Sequence, residues 1–224
     1  MNRMNGIRLG LVLGLLLMLV SSALAVLPTH NESTRTVILV RHGFYDWDND
    51  EDPDVGKALL ELGRQQARLV AARLDGMPVL FTSLQASTMT RARQTAEIIA
   101  THFPELELQL HHDIRECTMT TRREDIMAKL EPGEAVECEE QLDGAWQRIF
   151  VPASGDSDEF DIVVCHGNVI RWFVTRALAV DPSAWLGMSV SHCSLTTIQV
   201  RADGSCKVLG VGDNGHLGYS MATY

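Results

Sequence analysis

Short apolar runs alternate with helix-period segments along this chain, and that alternation leaves few folds open. Residues 36–40 (TVILV) are a β-branched run that reads as a buried strand, and 160–165 (FDIVVC) read as another apolar strand. Between them, residues 57–74 carry Leu59, Leu62, Leu69, Val70 and Leu74 at a spacing that suits an amphipathic helix, with Gly76 as its stop. Residues 79–83 read as a strand, and 88–102, rich in Ala, Arg, Gln and Glu, as a second helix that Pro104 ends. Leu106, Leu108 and Leu110 alternate with polar residues, as a half-buried strand should. After 160–165 come a helix over 168–179, closed near Pro182, and two strands, 194–200 and 206–211, joined by the Ala202-Asp203-Gly204 turn. Strands alternating with helices imply an α/β three-layer sandwich, a mostly parallel central sheet with helices on both faces. Residues 117–158 are polar, contain Pro132, Gly133, Pro152 and Gly155, and read as an insertion carrying a helix around 139–150.

The first 25 residues have another character. Arg3 and Arg8 precede an apolar run over 9–20, and Ser21-Ser22-Ala23-Leu24-Ala25 follows it. A basic start, an apolar centre and an Ala-x-Ala exit are the parts of a secretory signal cleaved after Ala25, which would export the protein to a periplasm or out of the cell. The alternative is an uncleaved anchor in a membrane, a mitochondrial one included, because 9–27 approaches the roughly 20 apolar residues that span a bilayer. Residues 26–35 read as a linker, which leaves 36–224 as one folded domain.

Charge narrows the partners. Without residues 1–25 the chain keeps 17 cationic and 29 acidic residues, a net charge of −12. A surface that acidic argues against nucleic-acid binding and against adhesion to anionic lipid. A site for an anionic substrate must be a local exception. The five cysteines, Cys117, Cys138, Cys165, Cys193 and Cys206, show no C-x-x-C spacing, so a zinc ribbon or redox motif is not indicated. Export would permit a disulfide, with Cys117 and Cys138 as the pair to test, and Cys165 in its apolar strand reads as a buried free thiol.

In a sheet of this kind ligands gather at the carboxyl ends of the strands. Arg41-His42-Gly43 follows the first strand, Ser87 to Arg91 the second, Arg115-Glu116 the Leu106–Leu110 strand, and His166-Gly167-Asn168 the FDIVVC strand. A strand-end Arg or His is usually a solvated charge, but four such clusters at successive strand ends converge on one edge. His111 and His112 lack a third ligand at metal spacing and read as a strand terminus, Arg64 as a helix-surface residue, and His192 and His216 as structural. Tyr45, Trp47 and Trp172 read as packing residues, with a substrate mouth as their other reading.

In this order, Val40-Arg41-His42-Gly43, Ser87-x-x-x-Arg91-Ala92-x-Gln94-Thr95-Ala96, Arg115-Glu116 and Cys165-His166-Gly167-Asn168 resemble the histidine phosphatase (phosphoglycerate mutase-like) superfamily. The resemblance spans roughly residues 36–217. Within it, Cys165-His166-x-Asn168-Val169-Ile170-Arg171-Trp172 and Ala184-Trp185-Leu186 look most like the mitochondrial Ser/Thr protein phosphatases. The resemblance implies a metal-independent phosphomonoester hydrolase working through phosphohistidine, with no cofactor and a phosphoprotein or small phosphomonoester as partner. His42 would be the nucleophile, Arg41 and Arg91 the phosphate clamp, His166 a third phosphate donor acting in catalysis, and Glu116 the general acid and base. Ser87 would cap the helix that presents Arg91, and Asn168 would bond the loop beneath His166. Membrane attachment through residues 9–27 and a homodimer are left open. The other functions weighed are a phosphoglycerate mutase-type phosphotransferase, which Asp48 in place of the mutases' Asn disfavours, and a phosphate-binding module without turnover.

Overall fold

The computed structural model describes residues 32–52 and 56–224. The signal or anchor read over residues 1–27, and most of the linker, lie outside them. Its elements run in the order β1 (Arg35–Arg41), α1 (Glu61–Asp75), β2 (Ser83–Ser87), α2 (Thr90–Ala100), β3 (Leu108–His111), α3 (Glu124–Met127), α4 (Glu134–Ile149), β4 (Glu159–Cys165), α5 (Gly167–Ala177), β5 (Leu195–Val200) and β6 (Cys206–Asp213). Six strands form one sheet in the order β3-β2-β4-β1-β5-β6. β3, β2, β4 and β1 are parallel, while β5 runs antiparallel to β1 and to β6. The sheet is therefore mixed, with its parallel part holding the centre.

The central strands β1 and β4 carry unbroken apolar runs, residues 37–40 and 162–165, because both faces are covered there. Val37 and Leu39 of β1, with Val163 and Cys165 of β4, pack under Cys138, Leu142, Ala145 and Ile149 of α4 and Val169, Ile170 and Phe173 of α5. The alternate residues Ile38, Val40, Ile162 and Val164, with Leu84 and Ala86 of β2, pack under Ala67, Val70, Ala71 and Leu74 of α1 and Ala92, Ala96 and Ile99 of α2. The strand period of two thus sorts one run into two cores. Each fully buried aliphatic side chain contributes about 1.5–3 kcal/mol through water exclusion.

Three sequence expectations change. The second strand is Ser83–Ser87, not 79–83. Val79 lies in a turn, its N–H bonded to Met77 O, and Leu80 is 91% exposed. Gln85 and Ser87 can be buried in β2 because their polar groups are met, Gln85 Oε1 by Arg148 Nη1 (2.6 Å) and Ser87 Oγ by His166 Nε2 (2.8 Å). Within residues 117–158, the helix begins at Glu134 and is a core layer rather than an appendage. In α1 the face toward the sheet is Gly63, Gln66, Ala67, Val70, Ala71 and Leu74, and Leu69 points to solvent.

One close approach seats the β1–α1 connection. A Cβ added to Gly63 would lie 1.9 Å from Phe44 O, and one on Gly43 would lie 2.6 Å from Gly63 O. Backbone presses on backbone there, so neither side can yield by a rotamer change. Gly63→Ala should lower folding stability by about 2 kcal/mol, the usual cost of overpacking. Urea unfolding of the variant would measure this, and an unchanged midpoint would contradict the reading.

Candidate active site

The parallel strands deliver their carboxyl ends to one edge. β1 ends in Arg41, and His42 follows, its N–H bonded to Cys165 O (3.0 Å) at the end of β4. α2 presents Arg91 in its first turn, and His166 precedes α5. The His42 and His166 rings stand 5.0 Å apart, and Arg91 Nε donates to His42 Nε2 at 3.1 Å. Coulombic coupling joins Glu116 to Arg41 and Arg91. Arg41, His42, Arg91, Glu116 and His166 are thus brought into one cluster.

Hydrogen-bond chemistry sets the protons. Gly43 O lies 2.9 Å from His42 Nδ1, and a carbonyl can only accept, so Nδ1 carries the proton. Arg91 Nε–H can only donate, so His42 Nε2 offers a lone pair toward it. His42 is therefore a neutral imidazole with its ring lone pair on Nε2. Burial holds its protonation well below the ordinary imidazole value, aided by His166, Arg91, Arg41 and His192. The loop carrying it is pinned by Gly43 N–H to Thr95 Oγ1 (3.0 Å) and Phe44 N–H to Gln66 Oε1 (2.9 Å).

Ser87 does more than serve the helix. Its Oγ accepts Met89 N–H (3.3 Å) and lies 2.8 Å from His166 Nε2, while Met89, not Ser87, is the cap position of α2. His166 Nδ1 has no partner among the described residues. Burial, then Arg91 and Arg41, keep His166 neutral. Arg41 donates to Val190 O (2.6 Å) and is lowered to about 10, chiefly by burial, so it stays cationic at neutral pH. Glu116 is raised above the usual carboxylate range by desolvation, which outweighs the cations and the Asn168 N–H that reaches its Oε1 at 3.2 Å. Asn168 Nδ2 bonds Cys117 O (3.1 Å), so it does hold the neighbouring loop.

Two members stand closer to the site than the first sequence reading of each, His192 as structural and Tyr45 as packing with a substrate mouth as its other reading. His192, taken as structural, has its ring 5.3 Å from that of His42 and is lowered to about 3, first by burial and then by Arg41. It precedes β5, which runs antiparallel, so the amino end of β5 lies at the same edge as the carboxyl ends of its neighbours. The β5–β6 hairpin signal was the available clue. His192 Nδ1 lies 2.9 Å from Thr223 Oγ1, its backbone N–H bonds Thr223 O (2.9 Å), and Gln66 Nε2 donates to the same hydroxyl (2.9 Å). Tyr45 is the other member: its ring meets His42 edge-on at 5.1 Å, and the Arg91 guanidinium lies 4.7 Å over it. Trp47 stacks on Tyr45 and is 54% exposed, whereas Trp172 is core. His111 ends β3 as expected, and His216 Nε2 lies 2.9 Å from Cys193 O. Cys117 and Cys138 are disulfide-bonded, while Cys165 and Cys193 are buried free thiols.

Three buried neutral histidines carry a stability consequence. In the unfolded chain each would bind a proton below about pH 6.5, and in the folded chain His42, His166 and His192 do so only at lower pH. The unfolded state then holds more protons, so stability falls as pH drops below about 6.5, by up to about 1.4 kcal/mol per pH unit for each histidine. Denaturant unfolding at pH 7, 6 and 5 should show this decline, and His192→Asn should make it shallower. A flat profile would refute the assignment of three neutral histidines.

The histidine phosphatase superfamily (branch 1) profile matches residues 37–214. The mitochondrial serine/threonine-protein phosphatase Pgam5 of Caenorhabditis elegans is 39% identical over 190 residues, covering 83% of this chain and 65% of the relative. The human serine/threonine-protein phosphatase PGAM5, also mitochondrial, is 31% identical over 199 residues with the same two coverages. The chain thus spans 65% of the length of these two relatives. Among solved structures, phosphoglycerate mutase from Plasmodium falciparum superposes with a TM-score of 0.60 at 28% identity, covering 86% of this chain and 99% of the mutase. With the ordered motifs now gathered around one neutral histidine, the chain belongs to the histidine phosphatase superfamily.

Proposed function

We propose that the protein is a phosphomonoester hydrolase that works through a phosphohistidine on His42, needs no metal, and acts on phosphoserine or phosphothreonine in proteins. The observation that carries this reading is the His42 tautomer, with Nδ1–H on Gly43 O and the Nε2 lone pair beneath Arg91. A phosphoryl group entering the cluster takes Arg91 away from Nε2 and is held by Arg41, Arg91 and His166. Nε2 attacks phosphorus as the ester P–O bond breaks, and Glu116 gives its proton to the departing oxygen. Glu116, now a carboxylate, takes a proton from water, the hydroxide attacks phosphorus, and the P–N bond breaks to return neutral His42 and inorganic phosphate. The raised Glu116 suits it to the first step, where it must start protonated.

The protein-phosphatase branch of this reading is supported by the relatives' names and by exposed Trp47, which stacks on buried Tyr45 beside His42 and offers a platform for a peptide flanking the phosphate. The Cys117–Cys138 disulfide supports an oxidising compartment, reached by export or by anchoring through residues 9–27.

Rapid alkaline quench with labelled substrate should trap a phosphoenzyme that survives alkali and decays in acid, and His42→Ala should abolish both the label and turnover. Turnover of p-nitrophenyl phosphate should persist in EDTA. Glu116→Gln should slow phenyl phosphate, a poor leaving-group ester, about 100-fold more than p-nitrophenyl phosphate. Full activity of His42→Ala, or loss of turnover in EDTA, would overturn the mechanism.

A further inference from the structure

Glu116 stands in a stretch with little backbone support of its own. β3 ends at His111, a short 3-10 turn covers His112–Ile114, and α3 starts at Glu124, so residues 115–123 belong to neither helix nor strand. Among the described residues the Glu116 N–H is met by the thioether of Met89, at 3.3 Å, and a thioether is a weak acceptor. The neighbouring carbonyls reach outward: Arg115 O accepts Gln141 Nε2 (3.4 Å) and Cys117 O accepts Asn168 Nδ2 (3.1 Å). Farther along, Thr120 N–H donates to Glu139 Oε1 (2.9 Å). Thr120 O accepts the buried Trp185 Nε1 (3.0 Å) and the Glu116 carboxylate accepts the Asn168 N–H (3.2 Å), so the stretch is held by single bonds from its neighbours rather than by a helix or strand ladder.

A covalent tie sits at the next residue. Cys117 is joined to Cys138 across a sequence separation of 21 residues, and Cys138 is buried on the same face of α4 as Leu142, Ala145 and Ile149, which lie in the core against the sheet. We propose that the Cys117–Cys138 disulfide positions Glu116, and that a dithiol reductant, by opening it, selectively removes general-acid catalysis. This inference rests on the assignment of Glu116 as the acid. The acid must lie within hydrogen-bond reach of the departing oxygen, whereas nucleophile and clamp come from the ends of β1 and β4 and the start of α2, none of which the disulfide joins covalently.

The exchange balances. A thiolate of the reductant attacks the partly exposed Cys117 sulfur, the S–S bond breaks, and Cys138 leaves as thiolate. The second thiol of the reductant then closes on the mixed disulfide, releasing Cys117. Two electrons and two protons pass to the protein, and the reductant ends as a cyclic disulfide. Cys165 and Cys193 do not compete, being buried and with burial pushing their thiols up.

The test compares phenyl phosphate with p-nitrophenyl phosphate on the full chain, oxidised, reduced with dithiothreitol, and reoxidised with oxidised glutathione. The ratio of the two kcat/KM values should fall about tenfold on reduction and recover on reoxidation. Cys138→Ser should show the reduced ratio and no response to dithiothreitol, and its p-nitrophenyl phosphate rate reports that it is folded. In the Glu116→Gln background, reduction should leave the ratio where Glu116→Gln alone put it. If reduction and Cys138→Ser lower both substrates equally, or leave both unchanged, the positioning role is overturned while a selective loss in Glu116→Gln still supports the acid. If Glu116→Gln itself shows no selectivity, both assignments fall.

Discussion

A nitrogen lone pair must stay unprotonated while surrounded by groups that attract anions, and much of the site follows from that requirement. His42 Nε2 keeps its lone pair because Gly43 O takes the proton on the other nitrogen and because burial beside Arg41 and Arg91 makes a second proton unfavourable. The same cations that suppress protonation are the groups that would receive a phosphoryl anion. Keeping that lone pair free and presenting cations to an anion are therefore one electrostatic arrangement, not two. Holding Gly43 O in place falls to the Gly43–Gly63 contact and to Thr95, which ties the turn to both α1 and α2.

The acidic surface and the cationic cluster are consistent with each other once their scales are separated. A net charge of −12 beyond residue 25 acts over a Debye length of about 8–10 Å in salt, where solvent screens it. Arg41 and Arg91 act at hydrogen-bond range in a buried setting where screening is weak. Exposed acids such as Asp48 and Asp50 shape the approach of a ligand but not its final contacts.

Those parts of the fold that obey simple periodicity were legible in the chain itself. The apolar runs at 36–40 and 160–165 became β1 and β4, and the rule that ligands gather at carboxyl strand ends located Arg41, His42, Glu116 and His166, with Arg91 on the helix after β2. Where polar groups are buried by specific partners, the pattern gave no sign. β2 hides Gln85 and Ser87, which only Arg148 and His166 make tolerable, so hydropathy placed that strand four residues early. His192 was illegible for a topological reason: in an antiparallel strand the functional end is the beginning. α4 looked like an insertion because its first turns are acidic and its core face, Cys138, Leu142, Ala145 and Ile149, is narrow.

Thr223 gives the structure a direction in time. Its hydroxyl receives Gln66 Nε2 across 157 positions of sequence and lies beside His192 Nδ1, and both of these partners pack around the nucleophile loop. During synthesis the strands β1 to β4 can pair and His42 can be buried long before residue 223 exists. Non-local contacts of this reach form late in any folding order. The histidine cluster is thus completed by residues 192 and 223, and a chain still being made carries His42 without the contacts that complete its surroundings.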